Sequence, residues 1–231
     1  MTWFVPMPRK RKTAGPSPQR GRALFGASDA EVRIIGGQFR GRRLHYHGDP
    51  TVRPMKHRTR EAIFNLVSTE CSGREAIDLF AGTGALGLEA LSRGAAHAVF
   101  IEKHVPSARV VEQNIGTLGV DDRTTLLVTS AFLWAKRDLP AAATGSLGSA
   151  PWLVFCSPPY AFYAERQAEM LDLIGRIQEH APAGSILIVE ADEHFDFSLL
   201  RGDEANADNW DVRDYPPAVI GVWRGGIAAS R

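Results

Sequence analysis

Residues 78–87, DLFAGTGALG, set one acid, Asp78, ahead of three glycines, Gly82, Gly84 and Gly87. Just upstream, EAIDLF (75–80) is a short apolar run with the character of a buried strand. Just downstream, ALGLEALSRG (85–94) has helical spacing and closes on Gly94. A strand, a glycine turn and a helix in that order open an α/β unit, with the turn at the ligand-binding end of the strand.

The alternation continues outward. HAVFIE (97–102) reads as a strand and PSARVVEQNIGTLG (106–119) as a helix. TTLLVT (124–129) is a strand, SAFLWAKRD (130–138) a short helix and AAATGSLGSA (141–150) a small-residue loop. PWLVFC (151–156) is a strand, AERQAEMLDLIGRIQEH (164–180) an amphipathic helix, and GSILIVE (184–190) a strand. WDVRDYPPAVIGVWRG (210–225) holds two further strands around a turn. Short apolar strands separated by helices predict a mostly parallel sheet covered on both faces, with ligands beyond the strands' C-terminal ends.

The first 60 residues differ from the rest. They carry 14 Lys/Arg against Asp29, Glu31 and Asp49, a balance of +11, whereas the remainder carries 13 against 23, a balance of −10. Such segregation suits a basic face working on a polyanion beside a less basic catalytic body. Residues 1–30 are rich in Pro, Gly, Ser, Arg and Lys and read as a disordered basic leader. Residues 31–70 read as a nucleic-acid-binding extension, a hairpin in VRIIGGQFRGRRLHYH followed by a helix from about residue 57. Arg33, Arg40, Arg42 and Arg43 edge the hairpin; Arg53, Lys56, Arg58 and Arg60 crowd the helix start, where anions are already favoured. Residues 71–226 form the catalytic domain and 227–231 a tail.

No apolar run approaches the ~20 residues of a membrane helix, and the N-terminus lacks the apolar core of a secretory signal. The protein is therefore expected to be cytoplasmic. Cys71 and Cys156 stand far apart and the seven histidines show no ligand spacing, so no disulfide framework and no metal are expected.

GxGxxG with Glu102 ending the next strand also fits a nicotinamide dinucleotide. Asp78 argues against it, because a carboxylate beside the turn repels a pyrophosphate and attracts a cation. S-adenosyl-L-methionine has a sulfonium, an ammonium and a ribose, and no phosphate.

With this loop, RIIGGQFRGRRL (33–44) and RPMKHRTREAIFNLV (53–67) in that order resemble the RsmD family of class I methyltransferases. The resemblance covers about residues 32–226. It implies a Rossmann-like fold and S-adenosyl-L-methionine-dependent methylation of a guanine N2 in small-subunit (16S) rRNA. It implies further that Asp78, Ala81, Gly82, Thr83 and Gly84 wrap the methionine end, that Glu102 holds the ribose, and that Lys103, Ser130 and Ala131 flank the adenine. Ser130 also reads as a helix N-cap before AFLWA.

VFCSPPYAFY (154–163) supplies the other half of the site. Two prolines stop the strand abruptly. An exocyclic amine is a weak nucleophile, so the enzyme's task is positioning and electrostatics. The Pro158 carbonyl and the side chain of residue 157 can accept the amine hydrogens, and Tyr160 can stack on the base; Ser157, Pro158, Pro159 and Tyr160 are the candidate catalytic residues. The family pattern has Asp or Asn where Ser157 stands. Serine is shorter and uncharged, and an aspartate there is expected to keep or raise the rate. Phe155, Phe162 and Tyr163 are further candidates for the base pocket. Glu190 ends its strand at the same edge with nothing beyond position to mark it, and DYPPAV (214–219) reads as a plain turn. SPPY also resembles DNA amino-methyltransferases acting on cytosine N4, and adenine N6 is a related target. A catalytically weak RNA-binding assembly factor is the third reading. The expected partner is 16S rRNA in the 30S subunit or its assembly intermediate, bound by a monomer.

Overall fold

The computed structural model describes residues 32–46, 55, 57–200 and 209–226. The leader, Arg53, Lys56 and the tail 227–231 lie outside the described residues.

A two-stranded antiparallel hairpin, β1 (Val32–Arg33) with β2 (Arg43–Leu44), is followed by α1 (His57–Val67). The chain then winds through β3 (Glu75–Asp78), α2 (Ala85–Ser92), β4 (His97–Ile101), α3 (Val105–Leu118) and β5 (Thr124–Leu127). After α4 (Ala131–Arg137) and α5 (Leu139–Thr144) come β6 (Trp152–Cys156), α6 (Ala161–Glu165), α7 (Gln167–His180) and β7 (Ile186–Asp192). A closing hairpin, β8 (Trp210–Tyr215) and β9 (Ala218–Arg224), completes a seven-stranded sheet ordered β5-β4-β3-β6-β7-β9-β8. β3 to β7 run parallel; β9 is antiparallel to both β7 and β8.

Strand order reverses between β3 and β6, which pair Asp78 with Phe155. The connections leaving these two strands diverge, so a crevice opens at their C-terminal ends. Both sequence motifs sit there, one on each strand.

Side chains alternate between the sheet's two faces. Ala76, Phe100, Leu153, Phe155 and Ile188 pack with α1, α2 and the N-terminal hairpin, while Ile77, Val99, Val154, Cys156 and Val189 pack with α4 and α7. Phe64 of α1 meets Phe155 with ring centroids 5.6 Å apart. Burying a side chain of this size contributes about 1.5–3 kcal/mol. The hairpin and α1 therefore share a core with the sheet instead of projecting as an arm.

Polar bonds tie them down as well. The buried Glu89 of α2 accepts the Ile35 and Gly36 N–H groups, each at 2.7 Å, and pairs with Arg93 at 2.8 Å. Asn114 of α3 accepts the His45 N–H at 2.6 Å and donates to the Thr83 carbonyl at 2.9 Å, linking β2 to the glycine turn.

Three elements differ from the sequence reading. Residues 141–144, assigned to a loop, belong to α5, which starts at Leu139: Pro140 is tolerated in a first turn, alanines follow, and Leu139 is fully buried. The helix assigned to 164–180 begins at Ala161 and breaks at Arg166, whose φ of −134° is not helical. The Arg166 guanidinium instead lies over the Phe132 ring at 4.0 Å and bonds Glu169 at 2.7 Å. β7 runs on to Asp192 because β9 pairs with it along its full length.

Candidate active site

The glycine turn is shaped by backbone need. Gly84 caps α2 with φ +77°, a left-handed conformation that a Cβ disfavours, and Gly82 has φ +55°. A Cβ on Gly87 would collide with the buried Phe100 ring, so this glycine lets α2 lie close on β4.

A cavity of about 550 Å³ opens over the crevice, within the usual range for a small-molecule site. Ala81, Gly82, Thr83, Glu102, Lys103, Ser130 and Ala131 line it on the glycine-turn side, and Ser157, Pro158, Pro159 and Tyr160 line the other end. The tertiary structure thus brings eleven of the thirteen residues expected at the catalytic and cofactor sites onto one continuous wall. The other two, Asp78 and Gly84, lie immediately behind it at the base and end of the turn.

Asp78 is buried. Its Oδ2 accepts the Gly87 N–H at 3.3 Å, and its Oδ1 has no hydrogen-bond partner. Burial raises this carboxyl, against the pull of the Gly87 N–H and with a further push from the Glu102 charge, to about 7. Glu102 holds the Gly82 N–H on Oε2 at 2.8 Å and the His104 N–H on Oε1 at 2.7 Å. Two carboxylates and a glycine turn, one of them with an unpartnered buried oxygen, fit a ligand that carries positive charge and hydroxyls. Ser130 occupies the N-cap position of α4 without a side-chain capping bond.

Among the aromatics, Phe162 lines the cavity, whereas Phe155 and Tyr163 are buried in the core. Phe80, Phe132 and Phe162 form a cluster with centroids 5.9–6.2 Å apart, Phe80 meeting the other two edge-on. Buried desolvation raises Cys156 to about 12, which leaves it an inert thiol.

Glu190 is the residue whose role the sequence hid. Cys156 pairs with Val189, so Ser157, leaving β6, and Glu190, within β7, stand side by side. The Ser157 hydroxyl donates to Glu190 Oε2, and the Tyr160 hydroxyl donates to Oε1 at 2.7 Å. The DYPPAV turn is also more than a turn. Since β9 starts opposite Asp192, its first residue reaches the C-terminal end of β7, and Pro217 and Ala218 line the cavity. Met55 and Thr59 bring the start of α1 to the same cavity.

The basic residues separate into two groups. Arg40, Arg42, Arg43 and Arg58 are exposed and Arg33 is half-buried. Arg42 donates to the Thr117 carbonyl at 2.5 Å and Arg33 to the Gly41 carbonyl at 3.1 Å. Arg60 departs from the expectation: it is 2% exposed and donates to the Arg33 carbonyl at 2.5 Å. Its position on the inner face of α1 takes it out of reach of a phosphate.

The sequence profile of the family described as Conserved hypothetical protein 95 matches residues 32–200. The chain belongs to this family, the RsmD family. A Bacillus subtilis member, YlbH, described as a candidate rRNA methyltransferase, is 31% identical over 74% of this chain and 89% of its own length. Ribosomal RNA small subunit methyltransferase D of Escherichia coli is 34% identical over 58% of this chain, and the match spans 63% of that protein. The solved structure of an E. coli candidate methyltransferase, yhhF, superposes with a TM-score of 0.63 at 24% identity, covering 85% of this chain and 98% of that one. This RsmD-family chain is a methyltransferase with the class I fold. Among its described residues no helix is long and apolar enough to cross a membrane, and no cluster of His, Cys, Asp and Glu could hold a metal ion.

Proposed function

We propose that the protein methylates the exocyclic N2 of a guanine in 16S rRNA, using S-adenosyl-L-methionine and releasing S-adenosyl-L-homocysteine. The observation that carries this reading is the single cavity joining the glycine turn of β3 to the SPPY turn of β6. RsmD-family membership and the names of the relatives support rRNA as the substrate.

S-adenosyl-L-methionine supplies a methyl group activated on a sulfonium. Gly82 and Gly84 let the backbone approach it, Asp78 sets negative charge behind the turn on the side of its cationic end, and Glu102 takes its ribose hydroxyls. Lys103, Ser130 and Ala131 border the adenine. At the far end Tyr160 gives the base a stacking face, and the Pro158 carbonyl and Ser157 oxygen accept the amine hydrogens, aiming the nitrogen lone pair. The Pro159 and Tyr160 carbonyls are committed to the Phe162 and Tyr163 N–H groups at 2.9 and 3.0 Å; neither bond uses the Pro158 carbonyl. The exposed arginines of the hairpin and Arg58, next to cavity-lining Thr59, are the proposed phosphate contacts. Within this reading the enzyme acts as a monomer, in the cytoplasm, without a metal, on the 30S subunit or its assembly intermediate.

The test is incubation of the protein with labelled cofactor and, separately, under-methylated 30S subunits, free 16S rRNA and DNA, followed by mapping of the methyl group. Label on a guanine N2 of 16S rRNA is expected. Label on DNA alone overturns the rRNA reading, and no label in any arm returns the chain to an assembly factor.

A further inference from the structure

The serine at the head of the SPPY turn does not act alone. Its hydroxyl hydrogen is donated to Glu190, and the Tyr160 hydroxyl hydrogen goes to the other oxygen of the same carboxylate. Tyr163 fixes the strand end by donating to the Glu190 main-chain carbonyl at 2.9 Å. Glu190 is buried at 6% exposure, yet it lines the cavity. A hydroxyl whose hydrogen is committed offers only lone pairs to its other neighbours. A carboxylate at its back polarises that oxygen and strengthens it as an acceptor.

Building on the methyltransferase reading, we propose that Glu190, acting through Ser157, is the positioning residue for the target amine. The pair replaces the single carboxylate or amide that residue 157 lacks: Ser157 supplies the acceptor atom and Glu190 the negative charge. The amine donates one N–H to Ser157 Oγ. Its lone pair forms the N–C bond to the methyl carbon while the C–S bond breaks and leaves its pair on sulfur. The nitrogen, now positive, sheds that hydrogen to Ser157 Oγ as the serine proton passes to Glu190, which releases it to solvent. Tyr160 is held on the same carboxylate, so one group orients both the acceptor and the stacking ring.

The sequence alone predicts that aspartate at position 157 keeps or raises the rate. With Glu190 alongside, Ser157→Asp instead crowds two carboxylates together and slows the reaction, and the second change Glu190→Gln relieves it. The experiment measures single-turnover methyl transfer at saturating cofactor for wild type, Ser157→Ala, Ser157→Asp, Glu190→Gln and Ser157→Asp/Glu190→Gln. Melting midpoints and calorimetric S-adenosyl-L-homocysteine affinity are followed in parallel. Glu190→Gln keeps the shape and an acceptor oxygen, so both parallel readouts are expected to stay at wild-type values. Its methyl-transfer rate is expected to fall roughly 10- to 100-fold, and the double variant to return to within about tenfold of wild type. A rate for Glu190→Gln within about twofold of wild type, or a double variant no faster than it, overturns the proposal, since a purely structural Glu190 predicts neither the loss nor the rescue. If wild type labels DNA in place of rRNA, the substrate reading fails and the same rate ratios still decide the role of Glu190. A wild type that labels neither overturns both.

Discussion

Glu102 Oε2 accepts the Gly82 N–H at 2.8 Å, tying the end of β4 to the glycine turn that leaves β3. The carboxylate shapes the turn and also faces the cavity beside it. Replacing Glu102 with Ala should remove a charge-assisted acceptor and weaken S-adenosyl-L-methionine binding roughly 10- to 100-fold. Glu102→Gln, which keeps one acceptor oxygen, should fall between. Titration calorimetry with S-adenosyl-L-homocysteine checks both.

Asp78 should make the protein pH-sensitive. Its folded value of about 7 lies above the ordinary 3.8. Across that window the folded chain keeps a proton that the unfolded chain has released, so stability falls as pH rises from about 4 to 7. Asp78→Asn should flatten this part of the profile of melting midpoint against pH. A cationic ligand favours the ionised form, so cofactor affinity should rise as pH passes through 7 in wild type, and this rise should vanish in Asp78→Asn.

Gly87→Ala should destabilise the fold by about 1–3 kcal/mol, because the added methyl meets the rigidly buried Phe100. Phe100→Leu in the same background should recover part of the loss. Chemical denaturation of the two variants measures the difference.

The basic residues should divide as their burial does. Arg40→Ala and Arg58→Ala, at exposed positions, should weaken rRNA binding uniformly and each reduce the salt slope by about 1, with the melting midpoint unchanged. Arg60→Ala should instead cost roughly 1–3 kcal/mol of stability by stranding the Arg33 carbonyl. Filter binding across a salt series and thermal melts separate the two groups.

Much of this was legible along the chain. Local rules cover the alternation of strands and helices, because apolar period, capping glycines and proline stops act over a few residues. DLFAGTGALG and SPPY are contiguous motifs, so two turns that share the cavity stood out before their neighbours were known. The residues whose placement was missed are those whose meaning depends on strand register or on packing. Glu190 is an unremarkable acid at the end of SILIVE until the pairing of Cys156 with Val189 sets it beside Ser157. Pro217 belongs to a turn far along the chain until antiparallel β9 returns it to the end of β7. Arg60 shares its segment's positive charge, and only the packing of α1 turns it inward. The sequence by itself determined the fold class and placed the glycine and SPPY turns at the C-terminal ends of their strands, because short-range sterics and hydrophobic spacing dictate them. The tertiary structure alone decided which carboxylate stands behind Ser157, because strand pairing joins residues 33 positions apart that no local pattern connects.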